Sequence, residues 1–485
     1  MTSSLSSLIP TDMEIEATPE KAEISKITEN SAPTAESTPD SEGISRTRLA
    51  WATLAYIADG PDPLLMFLAR HVNPVKLLGL LRGLATEGTL VRDWQNTEPL
   101  REFEKLLHSL SKKCNDYRSL NNYRDFRRTF FLPVRPDSRF KKWLTRLGTL
   151  DELDSPKLTA TLTCEGRYSL VTPLDAEWPE VFDDLLLRTD STPPFCLWVD
   201  GDASILKQLD GSVSIVGSRE ANDYGQRCAH DIATRVASKG LVVVSGGAMG
   251  IDAHAHWAAV SNNSIIDNGL ERFTSAPTAL TIAVFAGGLH HIGPSRNLRL
   301  FDEIISHGGA LISELPPDSV PHSGRFLERN RLIAALSSCV VVAQAKYRSG
   351  AINTAQWANE LGRSVLAIPG NIDSPMNAGC NRLIAEQKAS ILTQVTDIDV
   401  FLPHELQEED VRGFSGYSLP LSSGYSDAQD LILREIRKAK GHGIDRHDLI
   451  AALEQKLTTE QVQSSVGLME LTGEISVSDN GHITL

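Results

Sequence analysis

Four short runs of small residues follow four apolar stretches: Gly217-Ser218-Arg219, Ser245-Gly246-Gly247, Ala286-Gly287-Gly288 and, after a short basic loop, Ser349-Gly350-Ala351. Glycine at such turns lets backbone N–H groups approach an anion, and a helix that starts there adds the positive end of its dipole. Phosphate binding is the chemistry these turns suggest. Arg219 leaves its turn directly, where a guanidinium can grip phosphate with two hydrogen bonds; the other reading is a structural salt bridge to a neighbouring carboxylate. The run Arg325-Phe326-Leu327-Glu328-Arg329-Asn330-Arg331 opens a helix with three arginines and one ring. Phe326 can stack on a base or anchor the helix in the core, and Asn330 and Arg331 can meet phosphate or hold the turn from inside. The candidate phosphate-binding set is therefore Gly217, Ser218, Arg219, Gly246, Gly247, Gly287, Gly288, Arg325, Phe326, Arg329, Asn330, Arg331, Ser349 and Gly350.

Catalytic chemistry has fewer candidates. Asp252, His254 and His256 look at first like a metal or acid–base set, but residues two apart on a helix point to different sides, and a metal needs three or four convergent ligands. Asp252 is expected instead to cap or brace the glycine turn, and His290-His291 has no supporting ligands. The chain has no GxxxxGK[ST] loop, no GxGxxG after the first strand and no GxSxG elbow. No nucleophile, metal or cofactor is assigned.

These turns must be positioned by strands, expected at 213–216, 241–244, 281–285, 310–313, 340–343 and 364–369, with helical patterns after every glycine turn. Strand, turn and helix repeated in this way make an α/β fold with a doubly wound, Rossmann-like parallel sheet, whose strand ends and helix N-termini face one crevice. That domain is expected over 167–400, with a polar insertion at about 261–277.

Five further segments surround it. Residues 1–45, with nine acids, two lysines and much Ser, Thr and Pro, read as a disordered acidic tail. A helical module is expected over 46–110, where apolar spacing is broken at Gly60-Pro61-Asp62-Pro63. A basic and aromatic connector fills 111–166; between Lys112 and Arg146 lie 11 Lys and Arg against three acids, interleaved with seven aromatic residues. That mixture can track a single strand or be an ordinary helical connector with a solvated charged face. A linker covers 401–426. Over 427–485, three helical patterns precede two strands around Asp479-Asn480-Gly481, the order of a winged helix. Its third helix, 458–471, has Glu460 and Glu470 but no Lys or Arg, which disfavours duplex reading.

With 485 residues and 41% apolar content, two or three domains are expected. No apolar run is long enough to cross a bilayer, and six scattered cysteines without a CxxC pair suggest a reducing cytoplasm. The net charge of −15 argues against a nucleic-acid partner until its placement is read: residues 213–399 hold 15 Lys and Arg against 16 Asp and Glu, so the sheet domain is nearly neutral.

Taken in order, Val216-Gly217-Ser218-Arg219 with Tyr224-Gly225, Ser245-Gly246-Gly247-Ala248 running into Gly250-Ile251-Asp252, Phe326 before Arg329-Asn330-Arg331, Ser349-Gly350 with Thr354-Ala355, and Pro369-Gly370 before Gly379-Cys380-Asn381 resemble the DNA-processing protein A (DprA/Smf) family over about 165–395. The resemblance implies a homodimeric protein that binds single-stranded DNA, protects incoming strands during natural transformation and helps load the RecA recombinase; members are not known as enzymes. Departures from the family pattern are Gly293 before Pro294, Leu327 after Phe326, Gln344 and Gln387-Lys388, together with the insertion. A rival reading places a nucleotide or phosphoribosyl group in the same crevice for hydrolysis, and a third makes the chain an interaction scaffold.

Overall fold

A computed structural model describes residues 44–86, 139–188, 191–261, 264–267, 270–273 and 280–402, and in part 101–110 and 431–484. The acidic tail up to residue 43, the connector over 111–138 and the linker beyond residue 402 lie outside the described residues.

Nine strands make the central sheet. In chain order they are β1 (Ser169–Val171), β2 (Leu197–Gly201), β3 (Val213–Gly217), β4 (Val243–Ser245), then β7 (Thr281–Val284), β8 (Ala310–Ser313), β9 (Cys339–Gln344), β10 (Ser364–Ala367) and β11 (Ser390–Ile391), while β5 (Ser264–Asp267) and β6 (Leu270–Phe273) pair separately within the expected insertion. The spatial order is β1-β2-β8-β7-β4-β3-β9-β10-β11. All six expected strands are present and mutually parallel, and β1 and β2 extend the sheet antiparallel beyond β8. From β3 the chain builds outward through β4 and β7, then returns to β9 on the opposite side. That reversal opens a crevice at the carboxyl ends of β3 and β9.

The central strands are buried on both faces, so they read as continuous apolar runs rather than alternating ones. Val216, Val244, Val284, Ile312 and Val342 face helices α9 (Ser323–Ala335), α10 (Gly350–Glu360) and α11 (Ala378–Ala385). Val213, Ile215, Val243 and Val341 face α6 (Asp223–Ser238) and α7 (Ile251–Val260). Alternation along β7 and β8 points Ala283 and Leu311 to that second face, where α8 (Leu298–Ser306) and the N-terminal helices cover them.

Those helices are α1 (Arg46–Ala58), α2 (Pro63–His71), α3 (Pro74–Thr86), α4 (Arg139–Leu147) and α5 (Pro156–Thr163). Gly60-Pro61-Asp62-Pro63 breaks α1 from α2. Asp62 caps α2 by accepting from the Leu65 N–H at 3.1 Å, and Pro63 takes a first-turn position where its missing N–H costs nothing. The second carboxylate oxygen of Asp62 accepts from Trp143 Nε1 at 2.9 Å, which ties α4 to the same corner. Trp51, Leu54, Leu68 and Trp143 share one continuous core with Trp198, Phe285, Phe301 and Leu311, so these helices form a layer on the sheet.

Residues to His404 form one compact unit and those from Glu405 a second. In the second, β12 (Ile444–Asp445), β13 (Ser476–Val477) and β14 (His482–Thr484) pair antiparallel in the order β12-β14-β13, beside α12 (Arg446–Leu453). Leu449, Leu453, Val462, Val466, Met469 and Ile483 are in its core.

Candidate nucleic-acid interface

The crevice between β3 and β9 encloses about 280 Å³. Its floor is the end of β3. A Cβ on Gly217 would fall 2.7 Å from the Gln344 carbonyl and against the Ile251 side chain, so only glycine lets the two strand ends and α7 close together. The Ser218 N–H donates to Gln344 O at 2.7 Å, and Ser218 Oγ accepts from the Glu220 N–H at 3.2 Å. Arg219 then turns outward into the crevice, with its guanidinium carbon 4.8 Å from the centre of the Phe326 ring. Arg219 and Phe326 thus meet as a cation–π pair.

The opposite wall is the start of α10. Ser349 caps it, its Oγ accepting from the Ala351 N–H at 3.3 Å, and a Cβ on Gly350 would meet nothing within 4 Å. Asn330 lies beneath: its Nδ2 donates to Gly350 O at 3.2 Å and to Asn353 Oδ1 at 3.1 Å, so it holds this helix start from inside. Lys346 and Arg348, on the loop between β9 and α10, also line the crevice, and Lys346 Nζ stands 2.5 Å from Glu220 Oε2. Neither belonged to the candidate set, although the basic loop that carries them was visible in the sequence. Arg219, Lys346, Arg348 and the positive end of α10 therefore converge on one space.

The other glycine turns play a different part. Asp252 accepts from the Gly246 N–H at 3.2 Å and the Ala248 N–H at 3.3 Å, so the Gly246 amide, expected to meet an external anion, is bound to an internal carboxylate. Burial raises the Asp252 pKa, against the pull of Arg329 and of these two N–H groups. Gly247 has φ of 67°, in the left-handed region, and a Cβ there would press on Phe301 at 3.2 Å. The 316–321 loop packs on Gly287 and Gly288 and leaves no room for side chains: a Cβ on Gly287 would fall 2.8 Å from the Pro321 ring and one on Gly288 against the Pro316 carbonyl, while the Gly288 N–H donates to Ser319 O at 2.8 Å. None of these four glycines lines the crevice, and the N–H groups of Gly246 and Gly288 are bonded within the fold.

The arginine run also needs correction. Only Arg329 of its three arginines lines the crevice, and it is 6% exposed, donating from Nη1 to Gly246 O at 2.9 Å and to Val284 O. Burial pushes its guanidinium down to about 10, which leaves it charged at neutral pH. Arg331, 2% exposed, pairs with Glu314 at 2.6 Å inside the fold. Arg325 pairs with Asp59 at 2.8 Å and donates to Val320 O, fastening the start of α9 to the N-terminal helical layer. The stretch begins a helix wedged between two layers, so successive side chains find partners in different directions.

His256 is buried with Nδ1 2.7 Å from Thr281 Oγ1, and burial pushes its pKa down to about 3. His254 Nδ1 contacts Gly250 O at 2.9 Å, one turn back. Among the described residues no group of three or more His, Cys, Asp and Glu is placed to hold a metal. Gln344 is buried in an amide network, its Nε2 donating to Asn222 Oδ1 at 2.9 Å and Asn377 Oδ1 at 2.8 Å while its Oε1 accepts from the Asn222 N–H.

A profile of the DNA recombination-mediator protein A family matches residues 169–403. A DNA processing protein DprA of Mycobacterium tuberculosis is 36% identical over 263 residues, which cover 53% of this chain and 63% of the relative, so the chain spans under two thirds of that protein. The X-ray structure of DNA processing protein A from Streptococcus pneumoniae is similar with a TM-score of 0.45 at 30% identity, covering 55% of this chain and 83% of that one. Protein Smf of Escherichia coli is 34% identical over 317 residues, 64% of this chain and 76% of the relative. On that extent of matched sequence, the chain belongs to the DNA recombination-mediator protein A family.

Proposed function

We propose that the crevice binds backbone phosphates of single-stranded DNA, and that the protein is a binder rather than a catalyst. The observation that carries this reading is the convergence of Arg219, Lys346, Arg348 and the α10 N-terminus on one open space at the sheet's switch point. A crevice of charge and backbone with Phe326 at its side suits a polymer read by phosphate and ring rather than by base edge. Family membership extends the reading: the chain protects incoming strands, hands them to a RecA recombinase during transformation or recombination, and works in the cytoplasm as a homodimer joined through the sheet domain. The antiparallel pairing of the three short strands in the unit from Glu405 supports reading it as a winged helix, and the acids of its expected third helix fit partner or self-contact better than duplex reading.

Titration with single-stranded oligonucleotides of rising length, a duplex and a mononucleotide tests this. Affinity should climb with length until the groove is filled and depend little on sequence. Saturation by the mononucleotide, with release of base or phosphate at about 1 per second or more, would replace the binder with the hydrolase.

A further inference from the structure

The start of α9 lacks the usual devices of a helix N-terminus. His322 precedes it and makes no capping hydrogen bond through its side chain, the first turn holds no acid, and Arg325 brings a cation to the end where the helix dipole is already positive. The missing carboxylate comes from the N-terminal layer. Asp59 ends α1 in the left-handed region at φ of 51°, and its carboxylate, 15% exposed, stands 2.8 Å from Arg325 Nη2 and accepts from Ser319 Oγ at 2.8 Å. On its other side are two cations of α4: Lys142 Nζ at 3.7 Å and Arg146 Nη1 at 3.4 Å. Both also donate to the end of α1, Lys142 to Ala58 O at 2.8 Å and Arg146 to Tyr56 O at 2.7 Å. One carboxylate thus joins α1, α4, the 316–321 loop and α9.

We propose that Asp59 is a positioning residue for strand binding: it carries the docking of the N-terminal helical layer to the first turn of α9, and so sets the place of Phe326 in the crevice wall. The inference rests on the single-strand reading and gives the helical layer a part in it without contact with DNA. Phe326 follows Arg325 directly, and its ring lies 4.8 Å from the Arg219 guanidinium. Helix ends fray where nothing holds them, and a ring that must be ordered during association costs affinity. With no cap of its own, this turn is held through Arg325, which pairs with Asp59 and donates to Val320 O at 2.8 Å. Coupling of this kind is reciprocal, so a strand that settles against Phe326 tightens the corner of α1 and α2 in return.

Oligothymidylate is titrated against the full chain, unaltered and with Asp59→Asn, Phe326→Ala and the two combined. Asparagine tolerates the left-handed conformation and keeps an acceptor for Ser319, so only the charge is removed. Asp59→Asn should weaken binding roughly 5-fold or more with the salt slope unchanged, because no phosphate contact is lost, and should add little on the Phe326→Ala background. Hydrogen exchange supplies a readout that a merely structural role would not move: oligothymidylate should slow exchange in α1 and α2 of the unaltered protein but not of Asp59→Asn. Arg325→Gln covers the case of a misfolded Asp59→Asn, since it leaves Asp59 with Lys142 and Arg146 for partners. It should give the same loss at the same slope; a slope flattened by about 0.7 would make Arg325 a phosphate ligand and overturn the proposal. Undiminished affinity in Arg325→Gln or in a folded Asp59→Asn, or the full loss repeated on the Phe326→Ala background, would overturn the positioning role yet leave the phosphate crevice standing. Failure of the unaltered protein to bind oligothymidylate would overturn the two readings together.

Discussion

Arg219 and Arg331 are both arginines of recognisable motifs, yet the fold gives them opposite tasks. Arg219 faces the crevice over Phe326, whereas Arg331 neutralises Glu314 in the interior. Arg219→Ala should weaken single-strand binding and flatten its salt dependence, by about 0.7 in the log–log slope for each phosphate no longer neutralised. Arg331→Ala should leave the slope of the folded fraction intact and lower stability instead, by about 3–5 kcal/mol, because Glu314 stays buried without a partner. Anisotropy titrations over a salt series, beside thermal melts, separate the two. His256 gives a pH signature. Its folded pKa of about 3 lies below the ordinary 6.5, so the unfolded chain takes up the proton first, and its contribution to stability is full above pH 6.5 and lost as pH falls towards 3. The loss should approach about 1.4 kcal/mol per pH unit in that window. His256→Asn, which keeps a donor for Thr281, should show a shallower acid limb in denaturant melts; an identical limb would show that His256 is not the titrating group. What the sequence made legible at this scale was residue type. Which way each arginine turns depends on Asp59 and Glu314, carboxylates on other elements, and no local pattern announces them.

The glycine turns separate in the same way at the scale of elements. Gly217 admits the approach of Gln344 and Ile251, while Gly350 opens on free space at the head of α10. Gly217→Ala should therefore cost about 1–3 kcal/mol by overpacking and reduce binding only through damage to the fold. Gly350→Ala should leave melting unchanged or raise it by up to about 1 kcal/mol in helix propensity, while single-strand affinity falls where the methyl group meets the phosphate. Equal affinity in Gly350→Ala and the unaltered protein would remove the α10 N-terminus from the interface. All six central strands were readable because a parallel strand buried on both faces is a plain run of Val, Ile, Leu and Ala. The roles of the turns were not, since a glycine that receives an anion and one that receives a carbonyl or a proline look alike in sequence. Asp252 was the partial exception, its place after Gly246-Gly247-Ala248 marking it as a brace.

For the whole molecule, charge is distributed rather than uniform, and the acid-rich ends flank a nearly neutral sheet domain. Truncation after Phe401 removes the second unit and should leave oligonucleotide affinity largely intact while altering self-association, read by light scattering. A large loss of affinity in the folded truncation would make the second unit a DNA reader. The helices of 46–86 were legible as helices, but their burial of Phe285, Phe301 and Leu311 was not, because it joins segments more than two hundred residues apart. The bond between Asp252 and the amides of Gly246 and Ala248 has a consequence for how the protein meets its ligand. A loop that waits for phosphate to organise it must be frozen during association, and affinity falls by the entropy of that freezing. Here the Asp252 carboxylate fixes the Gly246–Ala248 turn during folding, so on the proposed reading a strand that enters the crevice meets a wall already ordered, and the ordering cost falls in folding rather than in binding.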